Sequence, residues 1–344
     1  MTRFIQLHLL TSYPPSNLNR DDLGNPKTAT MGGVPRLRIS SQSLKRAWRT
    51  SELFQQLLVG NIGTRTKRLG VEAFEALTQA GVSEKKATEW ASEIAKVYGK
   101  LKADKPLEIE QLVHIAPEER ASLDALLTTL AQEKRAPTEV DLDALLHEQH
   151  AVDIAMFGRM LASKVQHNSE AAVQVAHAIG VHASAIEDDY FTAVDDLNET
   201  SPEAAHIGER GFAAAVFYLY LCIDRDLLKK NLGGDEGKVN KALRALTEAA
   251  LMIGPSGMQN SFASRAYAHY ALAEKGSQQP RSLSLAYVKP VTGHDYAAQA
   301  TQSLQQLRDN LDKVYGACAD ERYELNALDG EGNLKTLNDF IAAE

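Results

Sequence analysis

Apolar and polar positions alternate from the start of the chain. Residues 3–12, RFIQLHLLTS, put Ile5, Leu7 and Leu9 on one face and predict a strand. Residues 13–33 are polar, with Pro14, Pro15, Asn17, Asn19, Pro26 and the Gly32-Gly33 pair. They read as a long loop, and long loops are usually functional or mobile. Alternation returns over residues 34–39 and sets Arg36 and Arg38 on one face, Leu37 and Ile39 on the other. Ser40-Ser41-Gln42-Ser43 then offers N-cap residues before one helical pattern, Leu44, Ala47, Trp48, Phe54, Leu57 and Leu58.

From about residue 60 to 165 the spacing is helical. One helix ends near Gln79 before Gly81, a second opens at Ser83, a third begins at Pro117, and residues 138–149 predict a fourth. After residue 171 the pattern shortens. Residues 190–197 and 212–224 are strand-like. The tip between them, NETSPEAAHIGERG, is polar and suits an excursion from a sheet. Helices are expected over 238–252 and 295–315, and a late strand over 281–288. The pattern describes a strand–helix sheet domain, split by a helical insertion and again by a protruding hairpin.

Composition fits this picture. The chain has 344 residues, 44% hydrophobic and 24% charged, which predicts a globular protein of two or three subdomains. The longest apolar run, residues 212–223, is far below the roughly 18 residues of a membrane span. Gln6 and His8 interrupt the first apolar run, so no signal peptide is expected. Cys222 and Cys318 have no metal-site spacing, and we expect a reducing cytoplasm.

Charge adds a candidate chemistry. The net charge is −8, yet residues 23–50 hold Lys27, Arg36, Arg38, Lys45, Arg46 and Arg49 with no acidic residue. A basic block in an acidic protein marks a focused anion site. Lys45 and Arg49 are four apart on the expected helix, where like charges cost roughly 0.2–0.5 kcal/mol. A helix N-terminus beside them suits phosphate. An ordinary solvated helix face is the competing reading. Phe191, Phe217, Tyr218 and Tyr220 could stack on bases, although for Phe217 a core position is the better expectation.

Enzyme signatures are thin. His147 and His150 lack the spacing of a zinc protease, and Gly254-Pro255-Ser256-Gly257 is one residue short of a nucleophile elbow. Asp21-Asp22 and Asp195-Asp196 are acidic pairs of the kind that usually cap loops. His177 and His182 read as core-edge histidines.

FIQLHLLTSYPPSNLNRDDLGNPKTATMGG, followed by RLRISSQSLKRAWR, resembles the N-terminus of the CasC (Cse-four) family, the backbone subunit of the type I-E CRISPR Cascade surveillance complex. VDIAMFGRM (152–160), AVQVAHAI (172–179), YFTAVDDL (190–197) and AHIGERGFAAAVFYLY (205–220) continue it in order, over about two-thirds of the chain.

The resemblance implies an α+β fold: a modified RNA-recognition-motif (ferredoxin-like) palm with a helical fingers insertion and a protruding β-hairpin thumb. The palm would comprise residues 1–58, 170–183 and 212–344, the fingers 59–169 and the thumb 184–211. It implies a non-catalytic subunit without a cofactor or metal. Its partners would be the CRISPR guide RNA, the target DNA strand paired to it, other copies of itself and other Cascade subunits, with no membrane. Such copies would assemble head to tail along the guide, which itself reads the target.

Roles carry over by position. Ser40, Gln42, Lys45 and Arg49 match the motif that grips the guide backbone, and Arg46 lies within it. Arg20 and Lys27 sit in the preceding matched loop. Met160 matches a finger wedge. Phe191 and Val194 match thumb positions that interrupt the guide, with Ile207 at the thumb tip; apolar wedges unstack bases at a cost of a few kcal/mol.

The likeness also has departures. Residues 60–150 are largely acidic and offer no counterpart to a lysine-rich DNA-contacting stretch. In SGMQNSFA (256–263), Met258 stands where a basic residue is expected, leaving Gln259 and Asn260 as candidates. The C-terminal third matches weakly. The alternative is a metal-dependent ribonuclease resembling the type III effector backbone, with Asp21 or Asp22 as its loop aspartate.

Overall fold

A computed structural model describes residues 2–146, 150–161, 164–193 and 206–343. Its strands are β1 (Phe4–Ser16), β2 (Thr28–Met31), β3 (Val34–Ile39), β4 (Thr64–Thr66), β5 (Val113–Ile115), β6 (Val173–Val175), β7 (Ala178–Gly180), β8 (Glu187–Ala193), β9 (His206–Asp224), β10 (Ala268–Gly276) and β11 (Glu321–Asn326). The fold is mixed α/β with one large antiparallel sheet. The chain divides into two units: residues 1–54, 174–224 and 243–344, and residues 55–173 and 225–242.

In the first unit the sheet order is β11-β10-β1-β9-β7-β3-β2, with β8 paired to the outer part of β9. β1 is central and buried on both faces from Ile5 to Leu10, so its polar residues need internal partners. Gln6 accepts hydrogen bonds from Tyr220 Oη (2.9 Å) and the Arg281 amide (2.9 Å). His8 lies between Tyr218 Oη (2.9 Å) and Glu274 (3.2 Å). Burial pushes the His8 imidazole down. A neutral ring then donates from Nε2 to Glu274 and accepts from Tyr218. Burial alone would raise the Glu274 carboxyl, but the hydrogen bonds from His8 and Arg281 and the positive charge of Arg281 hold it well below the usual range. Leu10, Val216, Tyr218, Tyr270, Leu272 and Tyr287 build the core over this sheet, together with Leu304 from the helix Tyr296–Tyr315.

The second unit packs the helices Leu69–Gln79, Glu84–Tyr98 and Pro117–Glu133 around Leu69, Trp90, Ile94 and Leu123, beside the two-stranded β4–β5 ribbon. A buried Arg159–Glu119 ion pair (2.7 Å) ties the segment at Arg159 to the helix Pro117–Glu133, and a His114–Asp153 contact (2.7 Å) ties β5 to the helix Val152–Phe157.

Several elements differ from the pattern. The helix expected across residues 44–58 breaks at Thr50. Thr50 Oγ1 donates to Arg46 O (2.8 Å) and Ser51 Oγ to Trp48 O (2.7 Å), while Ser51 Oγ accepts from Phe54 N (3.2 Å). These hydroxyls close α1 (Ser41–Arg49) and open the helix Glu52–Leu57. The loop over 13–33 is shorter than expected, because β1 runs to Ser16 and β2 pairs with β3.

The strand expected over 281–288 is absent. Ser284–Tyr287 form a 3₁₀ turn whose amides bond locally, and Tyr287 Oη is drawn inward to Ala300 O (2.9 Å). The helix expected over 138–149 extends only over Glu139–Asp143, and residues 147–149 lie outside the described residues. Of the strand expected over 190–197, residues 190–193 belong to β8, and residues 194–197 lie outside the described residues. No described helix is long and apolar enough to cross a membrane.

Candidate nucleic-acid interface

In the first unit, three segments meet around the loop 17–27. Two asparagines organise it. Asn17 Nδ2 donates to Gly24 O and to Gly211 O (2.9 Å each), holding the loop to the base of the β8–β9 hairpin. Asn19 takes the other side. Its carbonyl accepts from Lys27 N (2.8 Å), and its Oδ1 accepts from Ser40 N (2.8 Å), just before α1. The Ser40 hydroxyl makes no capping bond, so Asn19 secures the helix entrance from the loop.

α1 itself follows its residue spacing. Leu44 and Trp48 are buried, and Trp48 Nε1 donates to Ile253 O (3.0 Å). The other face then carries Gln42 and Arg46, which are exposed, and Lys45 and Arg49, which are half-buried. The first turn has no acidic residue, while Arg46 and Arg49 lie in the last turn. Arg20 is exposed, with its backbone bridged to Pro26. Lys27 is half-buried and lines a small cavity with Asn19, Arg38 and Phe217.

The segment 255–263 closes against the same loop. A Cβ at Gly257 would come within 2.3 Å of Leu18 O, so only glycine allows this approach. Gln259 Nε2 donates to Ser264 Oγ (3.1 Å), and Asn260 is exposed. Phe262 faces Phe212 at 6.0 Å between centroids, joining this segment to the hairpin base. The structure therefore brings together Arg20, Lys27, Ser40, Gln42, Lys45, Arg46, Arg49, Gln259 and Asn260.

The hairpin carries Phe191 and Ile207. Phe191 pairs with Gly208 across the strands, and the Arg210 guanidinium lies over its ring at 4.8 Å. A Cβ on Gly208 would sit 2.3 Å from that ring. Ile207 is 58% exposed. Val194 lies outside the described residues. Met160 belongs to the second unit, where it is 79% exposed beside a cavity lined by Tyr98, Lys100 and Leu112.

Some expectations change. Arg36 is not on an open face: it is fully buried, with Nη1 on Gly180 O (3.0 Å) and Nη2 on Tyr287 O (3.0 Å). Burial pushes its guanidinium down. Strand alternation placed it correctly beside Arg38 in register, but the 3₁₀ turn covers it. His177 is not at a core edge; it is exposed, and Arg38 Nη1 contacts its Nδ1 (3.0 Å). Phe217 is buried, as expected. Asp21 Oδ1 accepts from Leu23 N (3.0 Å) and Asn25 N (2.9 Å), so this carboxylate shapes its own loop. Among the described residues no three His, Cys, Asp or Glu groups are placed to hold a metal ion. The organising roles of Asn17 and Asn19 and the Arg38–His177 contact were missed. The asparagine-rich polar loop was the only signal of the first.

Chemically, this face offers cationic and amide donors on one loop and one helix. That suits phosphodiester oxygens. A chain of a "CRISPR RNA-guided surveillance complex, pre-nicking" superposes with a TM-score of 0.85 at 29% identity, over 98% of this chain and 99% of that one. A chain of a second "CRISPR RNA-guided surveillance complex" superposes at 0.75 and 24% identity, over 99% and 100%, which is a likeness of fold. The chain matches no curated protein sequence at a significant level. The family model described as CT1975-like protein matches residues 5–340, and with nearly the whole sequence covered the chain belongs to that family.

Proposed function

We propose that this chain is a non-catalytic backbone subunit of a CRISPR Cascade complex of type I-E, binding guide RNA and presenting it to target DNA. The family match over residues 5–340 and the likeness to surveillance-complex chains support the CRISPR role. In this reading residues 1–58, 170–183 and 212–344 are the RNA-recognition-motif-like palm, residues 59–169 the fingers and residues 184–211 the hairpin thumb. Copies would line the guide in a filament and meet other Cascade subunits, in the cytoplasm.

One observation carries the RNA-binding claim. Asn19 joins the loop bearing Arg20 and Lys27 to the helix bearing Lys45, Arg46 and Arg49, making one cationic face. Phe191, Val194, Ile207 and Met160 are proposed as apolar wedges between bases. Nothing in the fold or the comparisons favours the ribonuclease alternative, and Asp21 is engaged with its own loop.

The test is binding to a labelled single-stranded CRISPR RNA across a salt series. For single strands each phosphate contact contributes about 0.7 to the slope of log affinity against log salt. Lys45→Ala/Arg49→Ala should reduce the slope by about 1.4. Met160→Ala and Phe191→Ala should weaken binding and leave the slope intact. A folded double variant with the wild-type slope would remove α1 from the interface.

A further inference from the structure

Beyond the motif residues, one cluster at the sheet edge has the chemistry of an anion site. Arg38 projects from β3, and its backbone amide bonds Lys27 O (2.8 Å), so the two cations are fixed on adjoining segments. Arg38 Nη1 lies 3.0 Å from His177 Nδ1, just before β7, which pairs with β3 through Arg38 and Ile179. An arginine nitrogen can only donate, so Nδ1 accepts and the ring proton sits on Nε2. Burial and then the positive charges of Arg38 and Lys27 push the His177 imidazole down. Both charges acting on this exposed ring are positive. Lys27 and Arg38 also line one cavity, and Arg38 lies two residues before Ser40, the N-cap of α1.

We propose that Arg38, His177 and Lys27 form an additional phosphodiester-binding subsite, continuous with the α1 face, and that RNA bound there takes up a proton at His177. The inference rests on the RNA-binding reading above. Three features select phosphate over a base edge. Arg38, Lys27 and the Nε2–H of His177 present only donors, whereas base edges demand donors and acceptors together. The cluster holds like charges side by side, an arrangement that an anion relieves. Protonating His177 removes the acceptor of Arg38, and a phosphate oxygen then accepts from both groups.

The sign follows from linkage. In the free protein His177 is neutral near pH 7. A phosphodiester beside it favours the charged ring, so binding draws in a proton and tightens as pH falls through the His177 range. Raising that pKa by one unit would correspond to up to about tenfold in affinity.

The experiment is binding of the full chain to a short single-stranded RNA between about pH 5.5 and pH 8, with a salt series at each pH. Wild type should bind several-fold more tightly at the acid end. His177→Gln should lose most of this pH dependence, while His182→Gln keeps it. Arg38→Gln should lower the salt slope by about 0.7, and Arg38→Lys should retain it. Lys45→Ala/Arg49→Ala should lose slope but keep the pH dependence. Full pH dependence in His177→Gln, or a full slope in Arg38→Gln, would overturn the subsite while leaving the RNA-binding reading standing. Absence of binding by folded wild type would overturn the RNA-binding reading and the subsite with it.

Discussion

Arg36→Met separates a structural arginine from a ligand-binding one within the same basic block. The Arg36 guanidinium has no exposure and spans two elements, donating to Gly180 O in β7, to Tyr287 O at the end of the 3₁₀ turn and to Val288 O just after it, at 3.0, 3.0 and 3.3 Å. The fit there is tight: a Cβ on Gly32 would lie 1.7 Å from Val288 O. Hydrogen bonds from a charged donor are worth about 1.5–3 kcal/mol each, so the two shorter ones set a gross loss of roughly 3–6 kcal/mol. Methionine fills similar volume and avoids the desolvation of a cation, which returns part of that. The net expectation is a loss of about 2–4 kcal/mol.

Urea unfolding followed by Trp48 fluorescence reads this unit if Trp90, the tryptophan of the other unit, is replaced by phenylalanine in both proteins. The refolded variant should keep the full salt slope of RNA binding. An unchanged unfolding free energy, within about 0.5 kcal/mol, would refute the bracing role. A reduced salt slope in folded protein would return Arg36 to the interface.

Other outcomes follow from the same contacts. Glu274 is held below its ordinary range, so its stabilisation is full above about pH 4.5 and is lost as pH falls toward the folded value. Glu274→Gln should flatten acid unfolding measured by circular dichroism below about pH 4.5, and an unchanged acid limb would contradict the network's role. Asn19→Ala should cost about 1 kcal/mol of stability through the lost helix-entrance bond. It should also weaken RNA binding at an unchanged salt slope, since no charge is removed; a lost unit of slope would show that Asn19 does more than position. Gly208→Ala should displace the Phe191 ring from under Arg210. Its effect on RNA affinity should match that of Phe191→Ala, and wild-type affinity would argue against a preset ring.

The parts of the fold legible in sequence were those with a simple period. β3 and α1 follow alternation and a 3.6-residue stripe because one face of each meets a core. β10 was invisible: AHYALAEKG is buried along its whole length, so no alternation marks it, and Glu274 and Lys275 disguise it as surface. Those charges are affordable only through remote partners. Glu274 meets Arg281 and Arg322, and Lys275 bonds Ala343 O while lying 4.7 Å from the centre of the Phe340 ring. The interface shows the same limit. The helix cations were readable from composition, but Arg36 and Arg38 share a face and differ in fate. A turn 251 residues later covers one of them, and no local pattern encodes that.

Crosslinking tests the central claim most directly. A bound single-stranded CRISPR RNA would be photo-crosslinked to the full chain and the modified peptides mapped. The account predicts adducts in residues 17–27, 40–49 and 255–263, reduced by Lys45→Ala/Arg49→Ala. Adducts confined to the helices between residues 69 and 133, with the loop and α1 unmodified, would contradict it.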